Sequence, residues 1–326
     1  MATLDKVAEV FQHHNNFLLS THVLPDGDGI GGELALAAYL NNIGKSVRII
    51  NHDPTPPKYK YLDPHNLIET YSKQTRVEKP DVVVLIDCGE LSRIGNVRET
   101  FKGTFPGIFV IDHHIHEGIK EDEYFIDISA SSIGEMLYRF LMHVDAKIDF
   151  EMAQALYVSI LTDTSSFRYS RTTSLSHLIA ASLIDMGVKP EETYQRVYAN
   201  ETIGKVKLLG EILSKIHIDG DGRLAWVFVS KEQRDRFQVS IDDTSSFIDQ
   251  VMIIGSVRVG ILFREEDNGQ IKISLRSKGD YDVYEVSQSF GGGGHAFAAG
   301  MSLDPPMDRV IEKVTMACRA LLQGGM

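Results

Sequence analysis

Two cysteines in 326 residues, Cys88 and Cys318, are too few for a disulfide framework or a thiolate metal cluster. Cys88 sits inside an apolar run and reads as a buried thiol rather than a nucleophile. Long hydrophobic runs are also missing: no stretch approaches the roughly 18–20 apolar residues of a membrane span. Residues 1–11 are amphipathic, carry acids and lack the basic segment of a secretory leader, so the expected compartment is the cytoplasm, with no membrane partner. Positive charge is the scarcer sign. Lys and Arg number 33 against 45 Asp and Glu, a formal net charge of −12. Affinity for a long nucleic acid grows from many cation–phosphate contacts, and this balance argues against such a partner. A small phosphorylated ligand, held by a few local cations or metals, remains compatible with it.

What is there fits an ordinary globular chain, with 43% hydrophobic and 24% charged residues. One core rarely grows past roughly 250–300 residues, so two domains are expected. The first half alternates strand-like and helix-like segments. Residues 16–21 and 46–51 read as short strands, and 81–87 (DVVVLID) and 107–112 (GIFVID) as central strands of a parallel sheet covered on both faces. Residues 31–42 (GGELALAAYLNN) read as a helix that Gly44 ends, and 151–162 have helical spacing. This pattern predicts an α/β domain over 1–188, mostly parallel, with helices on both faces. Residues 189–215 read as a polar helical connector. From 216 to 326 strands at 224–230, 256–263 and 270–277 and helices at 245–254, 281–290 and 307–322 predict a smaller α+β domain.

Four segments place Asp or His just past an apolar element: His22 to Gly29 (HVLPDGDG), Leu85 to Cys88 (LIDC), Val110 to His114 (VIDHH) and Ile160 to Thr164 (ILTDT). In a parallel sheet the carboxyl ends of the strands share one edge, where open α/β folds bind ligands. Three segments would deliver acids there from strand ends and the fourth from a helix end. A lone Asp-Gly-Asp-Gly is also a common surface turn, and a lone His-His pair carries no message. Four such sites in one half of the chain do. Asp26, Asp28, Asp87 and Asp163 would bring four negative charges to one crevice, and two divalent cations would balance them. Carboxylates with imidazoles suit Mn²⁺, with Mg²⁺ as the alternative.

Asp112-His113-His114 after a strand resembles the signature of the DHH phosphoesterases. HVLPDGDG, VVVLIDCGE and ILTDT are similar to that superfamily's other three motifs, in the same order. The run Gly291-Gly292-Gly293-Gly294-His295 resembles the signature of the DHH-associated C-terminal domain. The resemblance implies one metal held by His22, Asp26 and Asp87, and a second held by Asp28, Asp87, His113 and Asp163. Asp87 would bridge them, Asp112 would orient a histidine, and His114 would face the scissile phosphate as a donor. The glycine run is expected to present backbone N–H groups to a phosphate or base, with His295 and Arg276 as cations beside it. Arg93 is either a further phosphate contact or a plain surface arginine. Residues 131–135 (SSIGE) depart from the pattern, with Ile133 and Gly134 where relatives carry hydroxyls.

The layout resembles the nanoRNase branch. Its implied substrates are very short oligoribonucleotides and 3′-phosphoadenosine-5′-phosphate, with the second domain limiting substrate length. A soluble cyclic- or linear-dinucleotide phosphodiesterase is the alternative, and a catalytically inactive nucleotide-binding module a further one. The oligomeric state stays open, a homodimer included.

Overall fold

The computed structural model describes residues 3–101, 107–114 and 124–324. The chain divides into two compact units, Met1–Asn200 and Glu201–Met326. The first is built on six strands: β1 (Asn16–Thr21), β2 (Ser46–Asn51), β3 (Ile68–Thr70), β4 (Val82–Ile86), β5 (Gly107–Asp112) and β6 (Tyr124–Ile126). They lie in the order β3-β2-β1-β4-β5-β6, and every pairing is parallel. All five residues of β4 are buried, as a run of Val, Leu and Ile with no polar alternation requires.

Alternate residues of a strand point to opposite faces, and the cores divide accordingly. Phe17, Leu19, Ile49, Val84, Ile86 and Ile111 pack with α1 (Leu4–His13), α2 (Gly27–Asn42), α3 (Ile133–His143) and α4 (Phe150–Asp163). Leu18, Ile50, Val83, Leu85 and Val110 pack with Ile94, Val97 and Phe101 of a 3-10 segment, Leu91–Phe101. Helical segments therefore cover both faces, but of unequal kind. The strand order reverses between β1 and β4, which opens a crevice at their carboxyl ends.

One element begins earlier than its sequence suggested. The helix expected from residue 31 starts at Gly27, because Asp26 caps it: the Asp26 carboxylate accepts the Asp28 and Gly29 amides at 2.9 and 3.2 Å. Its glycines serve close packing rather than a loop. A Cβ on Gly29 would meet Thr21 Oγ1 at 2.3 Å, and one on Gly31 would meet the Ala155 carbonyl at 2.4 Å. Helices α5 (Ser174–Asp185) and α6 (Pro190–Tyr198) complete the unit.

The second unit opens with α7 (Ile203–Ser214), whose Leu208 and Ile212 are core residues. Residues 189–215 thus hold two helices, one in each unit. Then follow β7 (His217–Ile218), β8 (Leu224–Val229), α8 (Lys231–Phe237), α9 (Phe247–Met252), β9 (Val259–Glu265), β10 (Ile271–Ser277), α10 (Val283–Ser289), β11 (Gly293–His295), β12 (Ala298–Leu303) and α11 (Met307–Gly324). The sheet order is β11-β12-β10-β9-β8-β7, antiparallel except for the β8–β9 pair. One face packs on α10 and α11, while α7 and α9 cover the β8–β9 part of the other. Among the described residues no helix is long and apolar enough to cross a membrane.

Candidate metal centre

Six of the expected ligands converge at the carboxyl end of the first sheet. β1 delivers His22 one residue past its end, and Asp26 follows as the cap of α2. The loop between them is tied down by the Leu24 amide, which donates to Asp53 at 2.7 Å. β4 delivers Asp87, whose backbone is left-handed at φ 55° and whose amide donates to the Ile111 carbonyl at 2.9 Å. A non-glycine residue held in that region stores strain, and such outliers cluster at functional sites. β5 ends at Asp112, with His113 and His114 next, and α4 ends at Asp163.

The two carboxylate oxygens of Asp87 look to different neighbours. Oδ2 lies 3.5 Å from His22 Nε2, which is 4.0 Å from Asp26. Oδ1 lies 3.6 Å from His113 Nε2, which is 3.2 Å from Asp28 and 3.6 Å from Asp163. Within each of the sets His22–Asp26–Asp87 and Asp28–His113–Asp163, one ligand atom per residue lies within 4.8 Å of the others. Asp87 Oδ1 and His113 Nε2 are buried without a hydrogen-bond partner. Buried lone pairs from carboxylates and imidazoles at this spacing fit divalent cations of the Mn²⁺ or Mg²⁺ kind.

The electrostatics of the bare polypeptide point the same way. Burial, then the charges of Asp87 and Asp28, push Asp26 up to about 6. Burial and Asp28 push Asp163 up to about 7, and burial raises Asp28 as well. At His22 and His113 burial opposes the charged form. The neighbouring carboxylates outweigh it, Asp87 at His22 and Asp28 and Asp87 at His113, and lift the rings to about 9 and about 11. Burial would raise Asp87 too, but the neighbouring His113 and His22 rings outweigh it and hold it below the usual carboxylate range. Acids that repel one another and rings that hold protons to compensate mark a site with a deficit of positive charge.

Neighbours fix the ligands. Asp28 is fully buried and accepts from the Ile133 amide at 3.0 and 3.1 Å and from the Ser159 hydroxyl. Residues 131–135 therefore hold a ligand through the backbone. Gly134 donates its amide to Ser159 at 2.6 Å, and a Cβ there would strike that hydroxyl. Asp112 accepts the His113 and His114 amides at 2.7 and 3.0 Å and His114 Nδ1 at 2.8 Å. That bond engages Nδ1 and leaves Nε2 of the partly exposed His114 ring turned away from Asp112.

Like Ser159, Arg171, Glu33 and Asn51 carried no signal in the sequence. Arg171 donates to the carbonyls of His113 and Ala130 at 2.9 and 3.1 Å. Buried Glu33 accepts from Asn51, whose side chain in turn accepts the Thr21 amide beside His22. Burial pushes Glu33 up to about 8. These residues lie at no motif spacing, and only the fold brings them under the ligands. Cys88 is buried, donates to the Glu90 carbonyl and is pushed up to about 12 by burial, which removes it as a nucleophile. The Arg93 side chain is exposed, while its carbonyl accepts the Val23 amide at 2.8 Å.

Residues 16–160 match the model of the DHH family, N-terminal domain, and residues 227–320 match the DHHA1 domain. The chain carries a DHH domain followed by a DHHA1 domain. It is 26% identical to the bifunctional oligoribonuclease and PAP phosphatase NrnA of Bacillus subtilis (strain 168), over 94% of this chain and 96% of that one. It is 28% identical to the Thermus thermophilus protein of the same description, over 94% of this chain and 92% of that one. Among solved structures it is similar to an exopolyphosphatase-related protein from Bacteroides fragilis, with a TM-score of 0.88, 25% identity and coverage of 98% of this chain and 95% of that one.

In the DHHA1 domain, Arg276 lies on β10 and donates to the Leu275 carbonyl at 3.1 Å. The glycine run is divided in use. The amides of Gly291 and Gly292 donate to the Gln288 and Ser287 carbonyls, so they close α10 and are spent before any ligand arrives. Gly293, Gly294 and the His295 backbone form β11 against β12, and a Cβ on Gly293 would meet nothing within 4 Å. The His295 side chain lies outside the described residues.

Proposed function

We propose that this DHH-domain hydrolase degrades very short oligoribonucleotides to mononucleotides and removes a phosphate from 3′-phosphoadenosine-5′-phosphate, using two divalent cations, with Mn²⁺ as the first candidate. The observation that carries the reading is Asp87, with one oxygen 3.5 Å from His22, which stands beside Asp26, and the other 3.6 Å from His113, which stands beside Asp28 and Asp163. One carboxylate shared by two ligand sets is the arrangement a two-cation phosphoester centre needs. The bifunctional description of the Bacillus subtilis and Thermus thermophilus relatives supports the substrate class.

His22, Asp26 and Asp87 would hold one cation, and Asp28, Asp87, His113 and Asp163 the other. When bound, the pair acidifies a water and offsets charge building on the phosphate. The chain's own part is positioning. Asp112 fixes the His114 ring through Nδ1, so that Nε2 donates to a phosphate or leaving-group oxygen. Ile133, Ser159 and Arg171 keep Asp28 and His113 in place. The net charge of −12 disfavours long strands.

The test compares kcat/KM with Mn²⁺ on a dinucleotide, a pentanucleotide, a long single strand, 3′-phosphoadenosine-5′-phosphate, a cyclic dinucleotide and pyrophosphate, beside elemental analysis. Highest values on the short linear substrates and two cations per chain are expected, with both cations and turnover lost in Asp87→Ala. A preference for the long strand or the cyclic dinucleotide, or an active Asp87→Ala, would overturn the reading.

A further inference from the structure

The turn after Asp163 is built at a cost. Ser165, Ser166 and Phe167 follow one another at φ 48°, 60° and 62°, a run of left-handed backbone without a glycine. Two things hold it. The Arg168 and Tyr169 amides both donate to the Thr164 carbonyl, at 2.9 and 3.1 Å. The Phe167 ring packs inward, stacked on His177 at 5.0 Å and edge-on to Tyr157 at 6.4 Å. With Phe167 anchored, the next two side chains stand outward: Arg168 is exposed and Tyr169 is 59% exposed. Arg168 donates to the Ser165 carbonyl and hydroxyl, both at 2.8 Å and both neutral. It has no carboxylate within 4.0 Å among the described residues, and most of its N–H fork is left unengaged by those two bonds.

Helix α6 brings two more tyrosines to the same place. Tyr194 and Tyr198 lie one turn apart on one face, with ring centroids 5.2 Å apart, and Tyr194 is 48% exposed. The Tyr198 hydroxyl donates at 3.3 Å to the carbonyl of Leu161, two residues ahead of Asp163. Burial pushes Tyr198 up to about 12. Ser166 and Arg168 oppose that rise and Tyr169 and Tyr194 add to it, so all four stand close enough to act on one hydroxyl. Three tyrosines and a guanidinium without a counter-charge therefore gather beside the helix end that carries Asp163. Aromatic faces next to a cation are what a single strand of nucleic acid is held by, since every base has a face to stack and a phosphate close to it.

We propose that Tyr169, Tyr194 and Tyr198 form a stacking platform for one base of a short oligonucleotide whose scissile phosphate lies at the metal centre, and that Arg168 takes an adjoining phosphate. The proposal deepens the substrate reading given above and rests on it for the nucleotide class. None of the four residues belongs to the motifs in the sequence. The strained turn is tolerated because it sets Arg168 and Tyr169 beside the ligand.

The test uses the EDTA-treated full-length chain, so that binding is read without turnover. It is titrated into a pentanucleotide carrying the fluorescent base 2-aminopurine at one position at a time, and stacking is read as quenching. Quenching is expected at one position. Tyr169→Ala and Tyr194→Ala are expected to weaken binding about five- to hundredfold, the range for one stacked base, and to leave the melting temperature unchanged because both side chains are exposed. The corresponding phenylalanine variants keep the affinity, since the ring and not the hydroxyl stacks. A strand lacking the base at the quenched position, measured by competition, is expected to bind wild type and both alanine variants alike. Arg168→Gln is expected to lower the salt dependence of binding by about one phosphate contact. Unchanged affinity in the alanine variants, the same loss with the abasic strand, quenching at every position or at none, phenylalanine variants as weak as alanine, or an unchanged salt dependence in Arg168→Gln overturns the proposal. A preference for the long strand in turnover would instead count against the substrate reading, because this binding needs no hydrolysis.

Discussion

Asp87 combines a left-handed backbone, near-complete burial and two sets of charged neighbours in a single side chain. Such a residue is tolerated because the assembly around it is worth more than its strain. The same electrostatics fix how the metal-free protein responds to pH. Burial pushes Asp26 and Asp163 up to about 6 and about 7, so it costs nothing below about pH 4 and the penalty builds as pH rises from there to the raised values. His22 and His113 are raised to about 9 and about 11, so the stability they give is complete below about 6.5 and is lost as pH climbs through the raised values. Both windows have the same sign. Asp87, held low, acts only in stronger acid. The melting temperature of EDTA-treated protein should therefore fall steadily from pH 5 to pH 9, and saturating Mn²⁺ should raise it most at the alkaline end. A metal-free melting temperature that climbs over this range would contradict the site electrostatics. The acids and histidines themselves were legible as residues at element ends. Arg171, Ser159, Glu33 and Asn51 were not, because their roles depend on which carbonyl or carboxylate the fold sets beside them.

At the scale of elements, α4 shows how a ligand is held at a helix end. Asp163 is its last residue, and the chain then passes through Ser165, Ser166 and Phe167 at φ 48°, 60° and 62°. The Ser165 and Ser166 amides close the helix onto the Thr162 and Leu161 carbonyls at 3.0 and 2.7 Å. Left-handed backbone costs an ordinary residue about 1 kcal/mol that glycine avoids. Ser165→Gly should therefore raise the midpoint of urea unfolding, by up to about 1 kcal/mol of stability, with metal content unchanged. A loss of stability would mean that the turn is favoured by its side chains rather than endured. The start of α2 teaches the complementary lesson. Gly27 and Gly29 lie ahead of the helix expected from residue 31, yet they are helical, since Asp26 caps the first turn and close neighbours leave no room for a Cβ. Propensity yields where packing decides.

At the scale of the whole molecule, each unit has its own apolar core. The second carries one cluster built on Phe263, Ile273 and Val314 and another on Leu208, Val227 and Phe247. A fragment spanning residues 201–324 should unfold cooperatively in a calorimeter; a broad, non-cooperative melt would show that its two cores are insufficient. The sequence by itself determined the class of fold and singled out acids and histidines that the structure brings together at one sheet edge. Continuous β-branched runs fit buried strands, and acids placed just past parallel strands lie at one edge of the sheet. Tertiary structure alone decided that the two oxygens of Asp87 face different ligand sets, that Gly291 and Gly292 close a helix rather than await a ligand, and that Tyr194 and Tyr198 pair beside the helix end that carries Asp163. Those facts depend on side-chain direction and on partners far away in the chain, which neither periodicity nor spacing encodes.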